Sequence, residues 1–162
     1  MKLLLILCLA SLITLPVLAA RRVGEAQVRP GKNDLPCFTI AGREEKRGGS
    51  PDFQSVTVMA NQRILWRMSM PRERTFPLAF NMCIPYGGRG PALPQTPAAA
   101  LENGTVYTVH LDTRPDKGST APLRYAARFC LARQADGRTA VHQLGAIERP
   151  TRGLPDCRDK DN

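Results

Sequence analysis

Leu101-Glu102-Asn103-Gly104-Thr105-Val106-Tyr107-Thr108-Val109-His110-Leu111 joins a turn signal to a strand signal. Asn103-Gly104 is a pair that bends a chain readily. From Tyr107 onward the apolar residues alternate, with Tyr107, Val109 and Leu111 on one face and Thr108 and His110 on the other. That period of two belongs to a strand with one buried side. Asn103-Gly104-Thr105 also matches a glycosylation acceptor, although a simple turn explains it as well.

Working outward, the same pattern recurs. In residues 123–131, Tyr125, Ala127, Phe129 and Leu131 face one way, and Arg124, Arg128 and Cys130 the other. Further short apolar runs occupy 37–40, 53–59, 63–68, 76–84 and 138–144, giving seven expected strands. Fourteen prolines and 13 glycines separate them, and no helical apolar period lasts three turns. Asn61-Gln62 and Ala135-Asp136-Gly137 are placed to close hairpins. The charged stretch 42–52 and the Gly/Pro-rich stretch 87–100 read as loops, the second either functional or mobile. A short helix is expected at 97–101, where three alanines follow Pro97.

Seven strands in little more than a hundred residues predict an all-β immunoglobulin-like β-sandwich, with a lipocalin-like or other small barrel as the alternative. Leu101, the Gly104 turn and Tyr107 at the head of its strand match a tyrosine corner, whose phenol bonds the preceding loop. An ordinary core tyrosine is the competing reading.

The first 19 residues read as an export signal: Lys2, an apolar run from Leu3 to Ile13, and small residues that place cleavage after Ala19. The run is short for a membrane span, which needs about 20 residues; an uncleaved anchor is the other reading. A periplasmic location follows, with residues 20–34 an extended leader, 35–157 a single β-sandwich domain and 158–162 a tail. Export carries Cys37, Cys83, Cys130 and Cys157 into an oxidising compartment, where an even count means disulfides. Four cysteines allow three pairings. Their positions favour Cys37 with Cys83 and Cys130 with Cys157, each bond contributing roughly 3–4 kcal/mol.

The chain carries 23 Lys+Arg against 14 Asp+Glu, a net +9 that becomes +8 when Lys2 leaves with the signal. Such a balance suits an anionic envelope surface or an acidic partner. No basic run interleaved with aromatics speaks for nucleic acid.

Catalytic parts are scarce. His110 and His142 have no metal-ligand spacing, and Ser50, Ser55, Ser69 and Ser119 lack a nucleophile elbow. Glu44, Glu45, Asp112, Asp116 and Asp136 sit beside Arg or Lys and read as surface charge. No cofactor and no enzyme activity are expected. The remaining lead is binding. Trp66 is either a core tryptophan or an interface anchor, and Tyr86 and Arg89 stand at the edge of the Gly/Pro-rich loop.

Pro36-Cys37-Phe38-Thr39-Ile40, Cys83-Ile84-Pro85-Tyr86-Gly87, the Leu101 to Val109 corner and Tyr125-Ala126-Ala127-Arg128-Phe129-Cys130 occur in that order. Together they resemble small Gram-negative periplasmic proteins, often lipoproteins, with an immunoglobulin-like domain and a role in type VI secretion immunity. The family's usual acylated cysteine has no counterpart, since Cys8 lies inside the signal. The resemblance implies a protein that binds and neutralises an antibacterial effector. The alternative is an envelope-associated module for structure or anionic ligands, and an inhibitor of lysozyme ranks below both.

Overall fold

The computed structural model describes residues 22–88, 93–114, 120–144 and Cys157. The first 19 residues, which read as an export signal, together with Arg89 and the tail 158–162, lie outside the described residues. Among these residues nine strands follow in chain order, β1 (Gly24–Pro30), β2 (Pro36–Ile40), β3 (Asp52–Ala60), β4 (Arg63–Ser69), β5 (Phe76–Pro77), β6 (Ile84–Pro85), β7 (Val106–Arg114), β8 (Arg124–Arg133) and β9 (Thr139–Leu144), with one α-helix, α1 (Gly42–Gly48), and a 3-10 turn at Lys32–Asp34.

The opening stretch forms β7, and it pairs antiparallel with β8 from Val106↔Cys130 to Asp112↔Arg124. β3 lies on the other side of β7, matching Val56 to Leu111 and Val58 to Val109. A register shift between Phe53 and Ser55 brings Phe53 onto the inward face with Val56 and Val58, and all three are buried. β4 returns along β3 through Asn61 and Gln62, whose positive φ of 45° and 67° make the tight hairpin that the sequence led us to expect.

Beyond β8 the order continues β1, β2, β6, with β9 on β8 and β5 on β3. β1 meets β8 in parallel at Gly24↔Tyr125, and a Cβ on Gly24 would collide with the Tyr125 ring. The sheet is mixed, and it curls. β4 and β2 stand far apart along the strand order, yet the Trp66 and Phe38 rings approach to 6.5 Å, and Phe38 lies 5.6 Å from Phe129 of β8. The core is therefore the inner side of a sheet folded toward itself, filled by Phe38, Trp66, Tyr107, Tyr125 and Phe129.

Four expectations need correction. Residues 24–30, assigned to an extended leader, are β1, an interior strand between β8 and β2, so the fold starts before residue 35. Only Ala26 and Val28 of that strand face inward, too little apolar content to announce it. The charged loop 42–52 contains α1, held by ion pairs of Glu44 with Arg22 at 2.7 Å and Arg47 at 3.8 Å. The expected strand 76–84 is two short pieces, β5 and β6, each ending at a proline that offers no ladder donor.

Residues 97–101 form no helix. Instead residues 94–99 lie along the outer edge of β4, with Ser69 donating to Pro94, Thr96 to Arg67 and Ala99 to Leu65. Pro97 has no N–H to turn outward, which blunts an otherwise available sheet edge.

Candidate functional site

Both favoured disulfides are present, Cys37–Cys83 and Cys130–Cys157. The first ties β2 to an irregular stretch that follows β5. The second pins Cys157 against β8, in a small cluster with Leu144 and Val106.

Tyr107 bonds backward as a corner tyrosine does. Its hydroxyl accepts from the Glu102 amide at 2.6 Å and donates to the Glu102 carbonyl at 3.1 Å.

Two of the three proposed contact residues move inward. Trp66 is 0 % exposed and Tyr86 4 % exposed, so neither ring presents a surface. Trp66 packs on Tyr86 at 5.3 Å, and the Tyr86 hydroxyl donates to the Ala99 carbonyl at 2.8 Å. Tyr86 thus fastens the edge-covering stretch to the core. Burial, with Tyr107 nearby, pushes its phenol up to about 12. The third residue, Arg89, lies outside the described residues.

The two acidic residues read as surface charge at 44 and 45 are structural. Glu44 is buried and ion-paired, while Glu45 accepts from the Phe80 amide at 2.8 Å and the Ser50 hydroxyl at 3.1 Å.

His110 does share a face with a serine and an acid. The Ser55 hydroxyl, however, donates to Asp112 at 3.1 Å, and Arg124 holds the same carboxylate at 2.6 Å. A carboxylate neutralised by arginine is a weak base, so this serine is not activated. Among the described residues no hydrogen bond joins His110 to either partner. Burial and then Arg124 lower its pKa from the ordinary 6.5, with Asp112 opposing. Among the described residues, no three His, Cys, Asp or Glu side chains gather as a metal site requires. No described helix is long and apolar enough to cross a membrane.

Two surfaces remain. An apolar cavity of about 280 Å³ lies beside Cys83, lined by Met68, Phe76, Leu78, Met82, Ile84 and Leu93. The other surface is the outward face of β4, β3, β7 and β8. Strand register arranges it in three rows: Ile64–Met59–Thr108–Arg128, Arg67–Thr57–His110–Ala126 and Ser69–Ser55–Asp112–Arg124. Sequence reading missed this face because its members come from four separate strands. The alternation around His110 and Arg128 was the available signal.

Compared with protein-family models, curated proteins and solved structures, the chain has no match.

Proposed function

We propose that the protein is a non-catalytic periplasmic binding protein that neutralises an antibacterial effector by covering its active site. The observation that carries this reading is where the two disulfides act. The first fixes a segment that no extended strand ladder holds, the irregular stretch ending at Cys83, and the second holds Cys157 against β8. Rigid segments lose little entropy on docking, which favours tight protein–protein contact. The immunoglobulin-like sandwich belongs to the same proposal, supported by the Tyr107 corner and by β2 facing β4 and β8 across the core. Export is supported by the signal-like first 19 residues and by disulfides, which persist in oxidising compartments.

Affinity purification from the native envelope, with neighbouring toxin candidates supplied, tests the reading. An effector should co-purify, and its activity should fall as the protein is added in equal amount. Recovery of no protein partner overturns it.

The basic balance favours a second reading, an envelope-associated module held to anionic polymer or lipid by charge alone. That binding would vanish at moderate salt and show no preference among anionic surfaces.

A further inference from the structure

The outward face of β4, β3, β7 and β8 combines excess positive charge with exposed aliphatic groups. Ile64 is 50 % exposed, Met59, Thr108 and His110 are half-buried, and Arg67 and Arg124 are exposed. Two carboxylates on this side are ion-paired. Asp112 is held by Arg124 and Glu25 on neighbouring β1 by Arg43, while Asp52 faces, in register, Arg114, whose guanidinium donates to Gln54 at 2.7 Å. Arg67 and Arg128 have no carboxylate partner among the described residues. They sit at opposite sides of the four strands and two residues apart in register, which places their Cα atoms roughly 16 Å apart.

Resting on the protein-binding reading above, we infer that this sheet face docks an acidic protein surface. Arg67 and Arg128 hold its carboxylates, Met59 makes an apolar contact between them, and Ile64 adds another beside Arg67 on the outer strand. The composition decides for a protein over a polyanion. A polyanion is best held by an unbroken run of cations, whereas here the arginines are separated by Met59, Thr57 and a neutral-leaning His110. Arginine and methionine set among shielded small side chains are the chemistry of a protein interface. Ser55, Thr57 and Ala126 are small and already buried between the larger groups, so the partner meets a nearly flat surface.

The test uses the full chain in its native cells with a photo-activated cross-linking residue at Ile64, or at exposed Leu35 or Met82 as positions off this face. The Ile64 position should give an adduct to a protein whose contact peptide is rich in Asp and Glu. That partner, once purified, should bind the Arg67→Glu/Arg128→Glu variant at least about tenfold more weakly than the unaltered protein. Arg72→Glu/Arg74→Glu, with equal charge change, should stay within about twofold, since a charge off the contact acts only through long-range steering. Thermal melting and intact disulfides show that each variant is folded.

Protein adducts confined to Leu35 or Met82 overturn this surface and leave the binding reading standing. Equal affinity of the Arg67/Arg128 variant, or a contact peptide without acidic residues, overturns it as well. Adducts only to glycan or lipid, or none to protein at any position, overturn both.

Discussion

Replacing the Tyr107 hydroxyl by hydrogen (Tyr107→Phe) removes two bonds to the Glu102 backbone while leaving the ring in the core. The amide and carbonyl of Glu102 then need water, and the expected loss is about 1–2 kcal/mol in chemical denaturation. Gln143 plays a comparable part that its sequence position conceals. Its side-chain amide accepts from Val28 N–H at 2.8 Å and donates to the Ala26 carbonyl at 3.1 Å, standing in for a strand where β1 has left β8. In Gln143→Ala, the Val28 amide should exchange its hydrogen at least about tenfold faster, consistent with loss of one protecting bond. His110 sets an acid limit. Its pKa is lowered on folding, so the unfolded chain binds the proton first as pH drops through 6.5. Stability should therefore fall on acidification below that point and level off once the folded state is protonated too. His110→Asn should flatten this part of the pH profile of melting temperature.

Elements were readable where they alternate locally and hidden where they depend on distant partners. All but one of the expected strands are present, because Tyr107, Val109 and Leu111 or Tyr125, Ala127 and Phe129 carry their inward face in their own order. β1 and α1 escaped for the opposite reason. β1 pairs locally with β2 from Ala26↔Ile40 to Pro30↔Pro36, but its place beside β8 rests on a parallel contact about a hundred residues away, and α1 is held by the ion pair that Arg22 makes with Glu44. The candidate face was legible only in fragments, since strand register alone brings Arg67 into a row with His110. The stretch along β4 also shows composition acting as edge protection. Exchanging Pro97 for threonine would supply an outward N–H to an extended edge, and light scattering should then report self-association that the unaltered chain lacks.

At the scale of the molecule, the curled sheet places aromatic rings from both ends of the strand order in one core. Tyr86 couples that core to the covered edge through Ala99. Its phenol, raised from 10.0 to about 12, is held neutral by burial, and stability from it is complete below pH 10. As pH climbs through that window the unfolded chain ionises first, so the melting temperature should drop. Tyr86→Phe should lack this alkaline loss while showing a lower starting stability from the vacant Ala99 carbonyl. Reduction should lower stability more broadly. Bridges closing loops with sequence separations of 46 and 27 residues are each worth roughly 3–4 kcal/mol, which denaturation with and without reductant would measure.

The pairing of the cysteines also bears on how the chain is made. Of the four, each bonds its next neighbour along the chain, Cys37 with Cys83 and Cys130 with Cys157. A polypeptide oxidised from its N-terminus as it emerges would close the first bond before the third thiol appeared, and the second as soon as Cys157 followed. The native connectivity is the one that order of emergence produces by itself. A chain exported without Cys8 and oxidised in this order would reach its native pairs with no disulfide shuffling.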